Sequence, residues 1–435
     1  MDSKDLLQVK RPSDRVLRTI YKTGWLNVWE GAVRSSKTLT STLAWLYYLS
    51  TSDDTYFLMT GKSVGSLMRN VYEGDMGIKK LVPGAYLRSG HTSLSINIPT
   101  PKGVKICYCF GGGNANSHEA LVGVTVGGWY ADEISEHHQR FIEECFNRTV
   151  VSRNRKHFWT LNPQTPKHYI YTNFLDIYDA WTPEERIKAG GYYWWHFTLE
   201  DNPALTPETI EKIKMQFSGY AYQRFILGLR VVAEGLVYGD LGTIAFSNVD
   251  PGEYDCRYAA IDFGTTHATV MYIGGPKYQL DAGGNRIPSG KNFKVQKDKW
   301  AICYEYFDQG SGKDTQDYVR DFTKLCLSNG LDPRKVQIAI DPAAGPLKNS
   351  FRRAGFAVYD AKNDVLSGIL YVQRYLKNGI ITFDQSCKNL QRQMGTYHWD
   401  EKATERGEDK VVKLDDDAVD AMRYFVMTYV KPLAG

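Results

Sequence analysis

One octamer, Gly31-Ala32-Val33-Arg34-Ser35-Ser36-Lys37-Thr38, constrains this chain more than any other stretch. It joins a short apolar strand pattern, WLNVWEG (25–31), to a run of helical periodicity, KTLTSTLAWLYYLS, that begins at Lys37. In that context it fits G-x-x-x-x-G-K-[ST], with Ser36 in place of the second glycine. A loop of this kind turns backbone N–H groups onto an anion, reaches the β/γ oxygens with a lysine and offers a hydroxyl to Mg²⁺. Lys37 and Thr38 supply the last two, and Gly31, Arg34, Ser35 and Ser36 complete an ATP-binding set. Taken alone, the octamer could equally be a Ser-rich loop with a helix-capping threonine; the strand before it and the helix after it argue for the phosphate loop.

A phosphate loop needs a carboxylate partner for its metal ion. Ninety-five residues beyond Lys37, the strand pattern VTVGGWYADE ends in two adjacent acids. Asp132 is placed to hold Mg²⁺ together with Thr38, and Glu133 to orient the water that attacks the γ-phosphate. A solvated Asp-Glu pair capping the next helix is the alternative when the pair is read by itself. Arg34 offers a guanidinium to the γ-phosphate, where such groups contribute roughly 10³–10⁵ in rate. Asn162, at the end of HFWTLNP, is a polar amide suited to couple hydrolysis to movement, although Asn-Pro by itself only signals a turn.

Around these motifs the first half alternates strand and helix. Six strand patterns, at 25–31, 55–61, 93–99, 104–110, 126–133 and 157–163, predict a parallel-rich α/β sheet. NPALTPE opens a helical subregion over 198–230, with Thr206 as N-cap and Pro207 in the first turn. Gly, Asp, Asn and Pro then crowd the stretch after Val231. The division expected is a P-loop motor domain over 1–235, a linker over 236–256 and a further α/β domain over 257–435. A chain of 435 residues has room for two or three domains.

The second half opens on a three-strand meander, YAAIDFG, ATVMYIGG and, after a polar loop at 280–298, KWAICYEYF. Then come a helix, the strand VQIAID, another helix, the strand IITF and a long final helix near 416–430. Asp262 ends the first meander strand, Asp341 ends VQIAID and Asp420 lies on the last helix, each 79 residues from the next. Asp417 stands one turn before Asp420 on the same helix face. Singly, such aspartates serve as turn or helix caps. Together they match the layout of a ribonuclease H-like nuclease, in which two divalent ions, Mg²⁺ or Mn²⁺, neutralise the carboxylates and clamp a phosphodiester.

With both acidic sets in place, the chain resembles the large terminase subunit of tailed bacteriophages. The resemblance rests on GAVRSSKT, WYADE, TLNP, DNPALTPE with FILGLR after it, IDFG, IAIDPAAG and DDDAVDAMRY, which span residues 31 to 424 in the family's order. It implies an N-terminal P-loop (RecA/ASCE-like) ATPase and a C-terminal ribonuclease H-like nuclease. Their joint function would be to drive double-stranded DNA into a procapsid and to cut concatemers at the start and end of packaging. Arg34, Lys37 and Thr38 match the family's phosphate loop, Asp132 and Glu133 its acidic pair, Asn162 its coupling segment, and Asp262, Asp341 and Asp420 its nuclease triad. Asp417 stands where relatives often carry histidine or another acid. The partners implied are a terminase small subunit, the portal protein of the procapsid and further copies of the chain in a ring, usually of five. A trans-acting arginine is also implied; SHEALVG carries none, leaving Arg69, Arg140 and Arg148 as unranked candidates.

Two other readings compete. A helicase would share the phosphate loop but carry a second RecA-like domain with an arginine finger. A portal-docking protein without nuclease activity would lack the three acids. The charge balance of +4 excludes a polycation coating nucleic acid, so any DNA contact must be local. Arg153-Asn154-Arg155-Lys156 and Lys291 to Lys299 are the candidate runs, with solvated loop charge as the plainer reading. No membrane span and no signal-peptide core is expected, which suggests a protein of the host cytoplasm. The seven cysteines are scattered; Cys107 and Cys109 alternate within one strand and read as core thiols rather than metal ligands.

Overall fold

The computed structural model describes residues 12–90, 93–217, 219–264, 267–290, 292–310 and 312–434. The segment read for a leader, as far as residue 11, and Lys291 of the second basic run lie outside the described residues. Contacts divide the chain into two units. The first comprises Met1–Met215, Gly219–Val232 and Glu405–Glu408, and the second Gln216–Ser218, Ala233–Thr404 and Asp409–Gly435.

The first unit is built on an eight-stranded sheet of β1 (Leu26–Gly31), β2 (Tyr56–Gly61), β3 (Tyr86–Ser89), β4 (Leu94–Thr100), β5 (Gly103–Gly111), β6 (Gly128–Ala131), β7 (Lys156–Leu161) and β8 (Tyr192–Phe197). The strand order is β3-β4-β5-β2-β6-β7-β1-β8. All pairings from β5 to β8 are parallel, and β3 and β4 add an antiparallel edge. Every residue of β1 and β6 is buried, as expected of parallel strands covered on both faces. One face packs Trp29, Trp45, Tyr48, Phe57 and Phe158, the other Trp129, Phe141, Trp159 and Phe174. The six expected strands are present. β3 and β8 are additions: all four residues of β3 are exposed, so no apolar alternation marks it, and YYWWHF mixes burial without a period.

The second unit carries a seven-stranded sheet. Its members are β9 (Phe246–Ser247), β10 (Tyr258–Asp262), β11 (Thr269–Tyr278), β14 (Val295–Asp308), β15 (Gln337–Ile340), β16 (Ala357–Asp360) and β17 (Ile381–Asp384), while β12 (Pro288–Ser289) and β13 (Asn292–Phe293) pair by themselves. The order is β16-β15-β10-β11-β14-β17-β9, with the meander β10-β11-β14 antiparallel and β15 and β16 parallel to β10. This is the ribonuclease H-like arrangement. The polar loop expected over 280–298 is shorter than that, because β14 starts at Val295 and pairs with the end of β11. The helix Asp417–Phe425 continues as a wider π-type turn over Val426–Val430 and a final helical turn over Lys431–Ala434.

Among the described residues no helix is long and apolar enough to cross a membrane. All seven cysteines are free and buried, Cys107 and Cys109 within β5.

Candidate active sites

In the first unit the phosphate loop leaves β1 and enters the helix Lys37–Thr51. Three of its residues adopt left-handed backbone: Gly31 (φ 149°), Arg34 (φ 59°) and Ser36 (φ 64°). Ser36 therefore sits in the conformation a glycine adopts freely, which is why that position of the motif favours glycine. The Ser36 Oγ donates to the carbonyl of Asp201 at 3.3 Å.

Lys37 is buried beneath the loop. Its Nζ donates to the carbonyls of Gly31 at 3.0 Å and Ala32 at 2.5 Å, and to Asn162 Oδ1 at 3.1 Å. Burial lowers its pKa to about 8, against the opposing pull of Glu133, Asp132 and Glu30. Asp132, just after β6, accepts from Asn70 Nδ2 at 2.9 Å and from Thr160 Oγ1 at 3.0 Å, and Thr38 bonds to it as well. Burial raises the pKa of its carboxyl despite these donors. Glu133 is held in left-handed backbone (φ 54°) by a bond from its N–H to Thr160 Oγ1 at 3.0 Å. Burial, then the charges of Asp132 and Glu136, raise its carboxyl as well, the direction that makes a carboxylate a better proton acceptor.

Beside them a cavity of about 620 Å³ is lined by Arg34, Ser35, Ser36, Lys37, Thr38, Glu133 and Asn162, with Asp132 reached through its bond to Thr38. Arg34 is exposed at its edge, and Asn202 Nδ2 holds the Arg34 carbonyl at 2.8 Å. The structure thus brings together all the residues expected around ATP. Sequence reasoning missed Asn70, Thr160 and Asn202. Asn70 stands in no motif; Thr160 lies within TLNP and Asn202 within DNPALTPE, where nothing in the residue pattern singles either out. The donor set of Thr38 and Asp132, oxygen only, suits Mg²⁺. Arg69, Arg140 and Arg148 all lie in this unit; Arg148 is tied to Glu144 on its own helix.

In the second unit Asp262 ends β10, Asp341 follows β15, and Asp417 and Asp420 lie on the helix Asp417–Phe425, which packs against β10. The four interact electrostatically: burial first, then Asp420, Asp417 and Asp341, push the Asp262 carboxyl up to about 8. Burial also raises Asp417. Two of them have side-chain partners. Tyr424 Oη donates to Asp341 Oδ2 at 2.6 Å, and Asp420 receives Lys413 Nζ at 2.7 Å and Arg423 Nη2 at 2.5 Å. As they stand, no three carboxylate, imidazole or thiolate groups among the described residues converge closely enough to enclose a metal ion. The charges are near enough to repel one another but not to ligate one ion, and Asp420 is bound instead by Lys413 and Arg423. The oxygen-only donors and the raised Asp262 carboxyl nonetheless fit a divalent cation, whose charge would relieve that repulsion. Lys413, Arg423 and Tyr424 escaped the motif search, although Arg423 and Tyr424 stand within DDDAVDAMRY.

Residues 31–239 match the family described as terminase large subunit, T4likevirus-type, N-terminal. The large terminase of a thermophilic bacteriophage, in one crystal form, is 28% identical, with 96% of this chain and 99% of that one covered at a TM-score of 0.80. In that protein's complex with ADP the figures are 28%, 95%, 98% and 0.78. In its complex with ATP-γ-S they are 27%, 96%, 98% and 0.77. No curated protein matches the chain.

Proposed function

Because this chain belongs to the terminase large subunits of tailed bacteriophages and is a phage DNA-packaging motor, we propose the residues that perform its two reactions. The observation that carries the proposal is the pairing, in one chain, of a phosphate loop opposite an acidic pair with a ribonuclease H-like sheet whose strand ends carry aspartates. ATP enters the cavity beside Arg34–Thr38, a reading supported by the ADP and ATP-γ-S complexes of the thermophilic phage's large terminase. Lys37 exchanges its loop carbonyls and Asn162 for the β- and γ-phosphate oxygens. Release of Asn162 from Lys37 supplies the coupling step. Glu133 accepts the proton of the attacking water, and Arg34 stabilises the charge that builds on the γ-phosphate. Thr38 and Asp132 hold the Mg²⁺ ion, which when bound supplies charge neutralisation on the phosphates.

In the second unit Asp262, Asp341 and Asp420, with Asp417 beside them, hold two divalent ions, Mg²⁺ or Mn²⁺, that supply Lewis acidity for phosphodiester hydrolysis. Asp420 must turn from Lys413 and Arg423 to take part. The substrates and partners follow from this reading: double-stranded DNA, the portal of the procapsid, a small terminase subunit that selects the DNA, and four further copies in a ring, all in the host cytoplasm. The experiment is cleavage of supercoiled plasmid with Mn²⁺ or Mg²⁺, run beside ATP hydrolysis. Asp341→Ala should abolish cutting and leave hydrolysis intact, and Lys37→Ala should do the reverse. Wild-type protein that hydrolyses ATP but cuts no DNA with either metal would overturn the nuclease assignment.

A further inference from the structure

Glu30 is a buried carboxylate at the base of a loop that binds anions, and its side chain is only 1% exposed. It immediately precedes Gly31, and its charge acts on Lys37. An uncompensated negative charge there would repel the phosphates of a nucleotide and pull Lys37 toward itself. The compensation comes from 200 residues away: Arg230 donates from Nε at 3.1 Å and from Nη2 at 2.7 Å to the Glu30 carboxylate. Tyr171 Oη at 2.6 Å and Trp194 Nε1 at 2.7 Å fill the remaining acceptor positions, and the Arg230 guanidinium lies 4.0 Å over the Tyr171 ring. The segment bearing Arg230 is fixed to the loop. Val33 N–H donates to the Phe225 carbonyl at 2.9 Å, and Gly228, at φ 70°, lies so close that an added Cβ would come within 2.7 Å of the Ala32 nitrogen.

We propose that Arg230 is a positioning residue of the ATP site, acting through Glu30 to cancel a buried negative charge beneath the phosphate loop and leave Lys37 free for the nucleotide. This rests on the phosphate-loop reading above. It assigns a catalytic-site function to the FILGLR segment, which the loop motif does not contain, and makes that site depend on chain lying 200 residues downstream.

The test is equilibrium binding of ATP-γ-S to the full-length protein, with Lys37→Ala as the reference for loss of the site. Arg230→Gln exposes the Glu30 charge and should weaken binding about tenfold or more. Adding Glu30→Gln to it should restore affinity to within about threefold of wild type. Glu30→Gln alone removes the buried negative charge while Arg230 keeps Asp176 and Asp179 as partners, so binding should not weaken. An ion pair that merely holds the fold together predicts the opposite. Weaker binding by Glu30→Gln, or an unrescued double variant, would overturn the proposal, and both remain measurable if Arg230→Gln alone does not fold. If wild type binds no ATP-γ-S and Lys37→Ala changes nothing, the phosphate-loop reading itself fails.

Discussion

Replacing Asp262 by asparagine should stabilise the metal-free protein, and by an amount that grows with pH. The carboxyl is shifted from 3.8 to about 8 by burial and by the charges of Asp420, Asp417 and Asp341. The folded state therefore binds the proton that the unfolded chain releases near pH 4, so stability is complete below that value and falls as pH rises through about 8. At about 1.4 kcal/mol per unit, the span from 3.8 to pH 7 corresponds to about 4 kcal/mol, an upper bound because the carboxylates titrate as a group. Asparagine has nearly the same shape and no proton to lose. Calorimetric scans of wild type and Asp262→Asn in excess EDTA should coincide near about pH 4 and diverge by up to about 4 kcal/mol near about pH 7. The relevant transition is the unfolding of the unit that carries Asp262. A difference that is constant across the pH range would refute the reasoning, because it would reflect packing and not a buried charge.

Three further perturbations test the first unit. Asn70→Ala removes one of the donors that orient Asp132, so half-maximal ATP hydrolysis should require about tenfold more Mg²⁺ with kcat little changed, as read from a metal titration. Gly228→Ala forces a Cβ against the Ala32 nitrogen at a left-handed φ, and should lower stability by about 2 kcal/mol or more in a denaturant titration. Ser36→Gly relieves left-handed strain of about 1–2 kcal/mol. It also loses the 3.3 Å bond to Asp201 and gains unfolded-state entropy, so its stability should stay within about 1 kcal/mol of wild type in the same assay.

What could be read in advance was what is local in the chain. The phosphate loop is legible because strand, loop and helix follow one another within about two dozen residues, and Asp132-Glu133 because a strand ends on them. Asp262 and Asp341 are legible for the same reason. The partners of these residues are not. Asn70 reaches Asp132 across 62 residues and Arg230 reaches Glu30 across 200, and neither carries a periodicity or a neighbouring motif that announces the pairing. Lys413 was hidden differently: in KLDDD it looks like solvated charge, and only the fold turns it onto Asp420. The edge strand β3 escaped because it buries nothing, and the two-residue β9 because it is too short to have a period.

Backbone strain supplies an independent pointer to the same places. Four non-glycine residues among those described have left-handed backbone: Arg34, Ser36, Glu133 and Asp415. Two lie in the phosphate loop, one is the acid assigned to activate water, and the fourth precedes the helix that carries Asp417 and Asp420. Each conformation costs on the order of 1 kcal/mol and persists only where its surroundings over-determine it. Those surroundings are visible. Asn202 holds the Arg34 carbonyl, Ser36 is tied to Asp201, Thr160 fixes the Glu133 N–H, and Arg392 and Gln393 grip the Asp415 carboxylate. Thr160 also donates to Asp132, so one hydroxyl sets the carboxylate of one acid and the backbone of the next. Strain at Glu133 and orientation of Asp132 are therefore one device, and on the roles proposed for the two acids a substitution at Thr160 would disturb metal binding and water activation together.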